Sequence, residues 1–174
     1  ADWLQAVLEQ PRPVVVDADG LNGLAASPAL AEAVCRREAA TVLTPHPGEA
    51  ARLLGTTPDA VQADRFAAAR EVAARYAAVC CLKGAGTVVA APDGAYAVNP
   101  TGNPGMSMAG QGDVLTGILA AQLAQGVPAM TAAERAVWAH GAAGDRLAAS
   151  RGPFGFTATE CADALPGVWQ TLTA

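Results

Sequence analysis

Residues 79–126 read VCCLKGAGTVVAAPDGAYAVNPTGNPGMSMAGQGDVLTGILAAQLAQG, and their punctuation decides the fold class. Val79 to Leu82 is a short apolar run with the length and residue types of a buried strand. A Gly-containing break over 83–86 leads to a second run, Thr87 to Ala91. The Pro92-Asp93-Gly94 turn then returns the chain to Tyr96–Asn99, which predicts a hairpin. Pro100 to Gly112 holds four glycines and two prolines in thirteen residues and reads as a shaped loop rather than regular structure. It runs straight into an apolar helix, Asp113 to Gln125, stopped by Gly126.

The same alternation extends upstream. Residues 1–10 read as helix, Pro13 to Asp17 (PVVVD) as a strand, 21–37 as helix and Ala40 to Thr44 as a strand. A Pro/Gly turn precedes a short helix from Glu49 to Leu54, and Pro58 suits the first turn of a longer helix reaching Tyr76. Downstream, the capping-box patterns Thr131-x-x-Glu134 and Thr157-x-x-Glu160 predict two more helices, the first running to about Ser150. Strands alternating with helices favour an α/β layered sheet flanked by helices, with two or three parallel strands and a hairpin. The chain opens inside a helix with no strand before it, so the expected domain, residues 1–174, reads as single but short of its N-terminal strands.

Composition narrows the functional classes. The 174 residues are 52% hydrophobic and 16% charged, rich enough in apolar side chains to offset the entropy of ordering. Charged, Gly or Pro residues interrupt every apolar run short of a membrane span, so no membrane association is expected. A net charge of −5 gives no general attraction to a phosphate backbone, and nucleic acid is not an expected partner. Cys35, Cys80, Cys81 and Cys161 form no Cys-x-x-Cys pair and read as reduced, mostly core thiols of a cytoplasmic protein. With only His46 and His140 available, no zinc-like spacing exists.

The loop-to-helix junction is the strongest chemical feature. Glycines allow close backbone approach, and a helix start presents free N–H groups at the positive end of its dipole. Ala109, Gly110, Gln111 and Gly112 therefore read as an anion hole for a phosphoryl group. Asp113 at the entrance would be ionised and able to take a hydroxyl proton, or would simply cap the helix. Lys83 to Thr87 follow a strand end, where open α/β sheets bind ligands, although an ordinary turn with a solvated lysine has the same composition. His140, inside a helix, reads as packed or solvated, and Trp3, Trp138 and Trp169 read as core or interface residues.

Four segments together resemble one family. Asn99 to Gly117, Val16-Asp17-Ala-Asp19-Gly-Leu-Asn22, Leu43-Thr-Pro-His46-Pro-Gly-Glu49 and Leu82-Lys83-Gly84-Ala85-Gly86-Thr87 resemble, in order, the motifs of ADP/ATP-dependent NAD(P)H-hydrate dehydratases. These are a branch of the ribokinase-like, carbohydrate-kinase superfamily. The resemblance implies a hydro-lyase that returns hydrated NADH or NADPH to NAD(P)H at the expense of ADP or ATP. It implies Asp113 as the catalytic base, His46 and Asp113 against the hydrate, and Lys83, Gly84, Ala85, Gly86, Thr87 and Gly112 along the adenine nucleotide. Sugar kinases of this fold carry Asn-x-x-Glu where this chain has His46 and Glu49, which implies an indirect Mg²⁺ role for Glu49. Asp17, Asp19 and Asn22 fall at the active-site edge, where they shape the pocket or the Mg²⁺ environment, or only form turns. The family pattern further implies a homo-oligomer and a chain corresponding to the C-terminal portion of the domain. Two rival readings stay open: a small-molecule kinase of the same fold, and an inactive fragment that only binds nucleotide or self-associates.

Overall fold

The computed structural model describes residues 2–173. Five strands form one sheet in the order β1 (Val14–Val16), β2 (Thr41–Leu43), β3 (Val79–Leu82), β4 (Val88–Ala90) and β5 (Tyr96–Val98). β1, β2 and β3 are parallel, with Val15 opposite Val42 and Leu43 opposite Cys80. β4 and β5 add antiparallel to them as the expected hairpin, with Cys81 opposite Val89 and Val89 opposite Ala97.

Alternation along the strands builds two cores. Leu43, Cys80, Leu82, Val88 and Ala90 face one way, onto α2 (Asp19–Ala26), α4 (Pro47–Leu54) and α6 (Arg65–Arg75). Val42, Val79, Cys81 and Val89 face the other, onto α7 (Gln111–Ala124), α8 (Ala129–Arg151) and α9 (Ala158–Thr173). The neighbouring thiols Cys80 and Cys81 thus sit in opposite cores, and burial raises the pKa of both. Cys161 is also buried and Cys35 is exposed, in keeping with mostly core thiols. Trp3 is exposed, and Trp138 and Trp169 are half-buried against α8 and α9.

Several expected helices differ in extent. The helix over 1–10 is α1, Asp2–Leu8, with residue 1 outside the described residues. That over 21–37 is two helices, α2 and α3 (Pro28–Cys35), because Ser27 caps Leu30 N and Pro28 can only begin a helix. That from Pro58 to Tyr76 breaks at Asp64, where α5 (Pro58–Ala63) ends and the Asp64 carboxylate accepts from Ala67 N to start α6. α8 opens at Ala129 behind Pro128, so Thr131 and Glu134 do not cap it. The Thr157–Glu160 box does form, with Glu160 N donating to Thr157 Oγ1 at 3.2 Å. Among the described residues no helix is long and apolar enough to cross a membrane.

The loop between β5 and α7 contains one 3-10 turn, Pro104–Met106, and lies on α8. Thr101 Oγ1 donates to Trp138 O at 2.9 Å, and Asp145 accepts from Gly102 N at 2.8 Å and Asn103 Nδ2 at 2.9 Å. The approach is close enough that a Cβ on Gly141 would stand 2.2 Å from Thr101 Oγ1 and 2.7 Å from the Thr101 carbonyl carbon. We therefore expect Gly141→Ala to destabilise the fold by ~1–3 kcal/mol, since backbone rather than a flexible side chain must give way. Calorimetry would read this as a Tm lowered by roughly 2–4 °C per kcal/mol; an unchanged Tm would mean that the loop does not rest on α8 in solution.

Candidate active site

Three neighbouring strands end at one point. Asp17 follows β1, His46 and Glu49 begin α4 just after β2, and Lys83 follows β3. Lys83 Nζ lies 2.6 Å from Asp17 Oδ1 and 3.9 Å from Glu49 Oε2, with the three side chains largely shielded from solvent. Thr116 on α7 donates to the other Asp17 oxygen at 3.4 Å. Asp17 is presented by a strained turn, for Ala18 stands at φ 48°, ψ −118°, outside the conformations an alanine favours.

The start of α7 meets this cluster edge-on. Gly110, at φ 87°, precedes the helix, and the first bond of its ladder runs from Val114 N to Gly110 O, 3.2 Å. The N–H groups of Gln111, Gly112 and Asp113 thus precede the ladder at its positive end. A Cβ on Gly112 would lie 3.3 Å from Asp17 Oδ2 and 3.6 Å from Lys83 Nζ, so the helix start packs directly against the ion pair with little room to spare. The helix begins two residues earlier than expected, which places Asp113 within the first turn rather than at the cap. Its carboxylate is exposed, with no hydrogen-bond or ion-pair partner among the described residues.

His46 serves α4 as an N-cap. Its Nδ1 accepts from Gly48 N at 3.0 Å and Glu49 N at 3.3 Å, while Glu49 Oε2 accepts from His46 N at 2.7 Å, a reciprocal capping box. Those two donors leave the neutral ring's proton on Nε2, 3.4 Å from Glu49 Oε1, with the imidazole half exposed to incoming ligand. Asp19 and Asn22 lie on exposed positions of α2, and Asn22 accepts from Arg52 at 3.1 Å.

A cleft of about 460 Å³ opens beside the cluster, walled by Lys83 to Thr87, by the loop from Asn99 to Ser107, and by α7 and α8. The Lys83–Thr87 segment is held from behind by Arg65, whose Nη2 donates to Leu82 O at 3.0 Å. Thr87 Oγ1 closes the turn by donating to Gly84 O at 3.0 Å. Of the proposed anion hole, Gln111 and Gly112 line this cleft directly.

His140 is packed, as expected, and also stands in the cleft wall. Its Nε2 lies 2.7 Å from Gln111 Oε1, while burial pushes its pKa down to about 4 and keeps it neutral. Sequence gave no local signal for this pair, since its members stand on different helices. Lys83 differs in part: its ammonium, expected to face the nucleotide, is engaged by Asp17.

Comparison with known proteins adds to this geometry. A family model described as NAD(P)H-hydrate dehydratase matches residues 1–167. The chain is 51% identical over 141 residues to the ADP-dependent (S)-NAD(P)H-hydrate dehydratase of Neisseria meningitidis, covering 81% of this chain and 47% of that one. It is 49% identical over 160 residues to the bifunctional NAD(P)H-hydrate repair enzyme of Moorella thermoacetica, covering 92% of this chain and 30% of that one. It superposes with TM-score 0.83 at 36% identity on the ADP/ATP-dependent NAD(P)H-hydrate dehydratase of Bacillus subtilis co-crystallised with ATP/Mg²⁺, covering 95% of this chain and 57% of that one. The chain thus spans 30–47% of the length of these curated relatives, and over half of the solved one. A hydroxyethylthiazole kinase from Pyrococcus horikoshii at 17% identity shares the fold, with TM-score 0.73.

Two predictions follow from the electrostatics. Lys83→Met leaves Asp17 and Glu49 facing each other without a counter-charge and should cost about 2–3 kcal/mol in urea unfolding, less than a fully buried pair because water still reaches it. Adding Asp17→Asn should restore part of that loss, whereas simple additivity would show that the pair does not couple. For His140 the folded pKa lies below the unfolded one, so its contribution is complete above the unfolded value of about 6.5 and is lost as pH falls toward 4. His140→Asn should flatten the stability profile over that window; an unaltered slope would mean that His140 is not buried in the neutral form.

Proposed function

The chain belongs to the NAD(P)H-hydrate dehydratase family, and from that premise we propose that its cleft returns hydrated NADH or NADPH to the reduced nucleotide with cleavage of ADP or ATP. The observation that carries this reading is the meeting of the α7 N-terminus, through Gly112, with the Asp17–Lys83–Glu49 cluster at the edge of the cleft. Free N–H groups and a helix dipole there suit a phosphoryl group, and the exposed, unpartnered carboxylate of Asp113 stands within the same turn.

In this reading Lys83 to Thr87 and Gly112 bind the adenine nucleotide, and Ala109 to Gly112 form the anion hole. His46 and Asp113 bind the hydrate, with the half-exposed imidazole of His46 meeting it beside Glu49. The substrate carries a hydroxyl on the ring carbon beside the nicotinamide nitrogen, and hydroxide leaves poorly near neutral pH. Asp113 takes the hydroxyl proton as that oxygen attacks the terminal phosphoryl group, whose bond to the nucleoside phosphate breaks. The ring nitrogen's lone pair then expels phosphate. The resulting iminium loses a proton from the adjacent carbon to restore the dihydropyridine, and the net change is loss of water.

Among the described residues no group of three His, Cys, Asp or Glu side chains is placed to hold a metal. Mg²⁺ is ordinarily held by one or two carboxylates with phosphate oxygens and water, and Glu49 and Asp17, which already share one ammonium, fit that pattern. Bound there it would neutralise phosphate charge.

Asp113→Asn should lower turnover by about 10²–10⁴-fold while leaving the Kd for ADP within a few-fold, read as regained reduced-nicotinamide absorbance from NADH hydrate. Near-normal turnover would remove Asp113 from the base role. A stable phosphorylated product in place of regained absorbance would make the protein a kinase.

A further inference from the structure

Gln111 opens α7 and is only 7% exposed, yet its amide is only half satisfied. Oε1 lies 2.7 Å from His140 Nε2, whereas Nε2 has no partner among the described residues. Buried polar atoms are normally paired, so an unpaired donor in a cleft wall calls for an acceptor from outside the chain. Both residues line the cleft of about 460 Å³, and the first free backbone N–H of α7 belongs to Gln111 itself.

The orientation of the amide is coupled to the histidine's tautomer, for Gln111 presents Oε1 to His140 Nε2 at 2.7 Å. Burial keeps the ring neutral, so it has one N–H to give. With that hydrogen on Nε2 it donates to Gln111 Oε1 and turns the NH₂ group away from itself. An NH₂ group has hydrogens and no available lone pair, so its complement is an oxygen that only accepts. Next to a helix N-terminus the ligand oxygen of that kind is a phosphate oxygen.

We propose that the side-chain amide of Gln111 donates a hydrogen bond to a phosphate oxygen of the nucleotide bound in this cleft, and that His140 is the positioning residue that fixes the amide's orientation from α8. This rests on the nucleotide-binding reading above and adds a side-chain contact to an anion hole otherwise made of backbone. A donor that the protein leaves unpaired and the ligand pairs also ties affinity to this contact more than a surface hydrogen bond would.

The test is calorimetric titration of the chain with ADP and with adenosine, which lacks phosphate. Gln111→Met, of similar volume, removes an unpaired buried donor but also the acceptor of His140 Nε2, so the Tm of the protein alone should fall modestly, and it should weaken ADP about tenfold or more while leaving adenosine unchanged. Gln111→Glu, which replaces the donor by a carboxylate, should weaken ADP further. His140→Phe should weaken ADP several-fold, and the double variant with Gln111→Met should lose no more than Gln111→Met alone; additive losses would overturn the positioning role. Unchanged ADP affinity in Gln111→Met, or an equal loss for adenosine, overturns the phosphate contact while leaving the nucleotide site standing. Failure of the unaltered chain to bind ADP at all withdraws both. Should Gln111→Met not fold, the side-chain NH₂ resonance of Gln111 in the unaltered protein decides: a shift with ADP and none with adenosine supports the contact, and no shift with ADP overturns it.

Discussion

One ammonium group organises the working end of the sheet. Lys83 Nζ sits 2.6 Å from Asp17 and 3.9 Å from Glu49, so the loops after three adjacent strands converge on a single charge. Two carboxylates this close and largely shielded from water would repel without it. With it, the end of β1 is fixed to the end of β3 across β2, and Lys83 N donating to Pro45 O at 2.8 Å ties the end of β3 to that of β2 through the backbone. Gly112 packs against this arrangement, where a Cβ would come within 3.3 Å of Asp17 Oδ2. The strained Ala18 turn delivers Asp17 to its place.

The two sides of the cleft are held by different means. On the strand side the segment after β3 hangs on Arg65, whose guanidinium reaches the carbonyls of Leu82, Lys83 and Gly86. On the helix side the Asn99–Ser107 loop is carried by α8. Asn99 donates to Val137 O at 3.1 Å, Thr101 to Trp138 O at 2.9 Å, and Asp145 grips Gly102 and Asn103. Small residues at Gly141 and Gly144 make room, with Met106 Sδ standing 2.3 Å from where a Gly144 Cβ would be. α8 also carries His140, so one helix sets both the loop and the floor beside it.

What the sequence made legible follows from how local each signal is. The strands and the hairpin could be read because their apolar runs are short and bounded by Gly, Pro and Asp. The break at Ser27-Pro28 carried a readable signal, a capping serine before a proline, but helix-compatible residues on both sides masked it. Asp64 was harder, since the same residue type serves equally as an exposed helix side chain. Convergence of Asp17, Lys83 and Glu49 could be suspected from strand-end placement, but an ion pair between residues 66 apart depends on strand order, which periodicity does not fix. The Gln111–His140 pair spans 29 residues and two helices, and neither residue is unusual in its own helix.

Charge accounting explains how an acidic chain is suited to an anionic ligand. The protein carries −5 overall, and among the described residues lining the cleft Lys83 alone bears a full positive charge. Asp17 and Glu49 already answer that charge, so it supplies little net attraction to a polyphosphate. His140, held neutral by burial, supplies none. The remaining means are oriented dipoles: free N–H groups at the start of α7, glycine-rich backbone on both sides, and side-chain amides. Such groups attract an anion only at contact distance, and they are not weakened by salt as long-range charge is. Binding should therefore depend on fit, with phosphate recognised by geometry rather than drawn in by field.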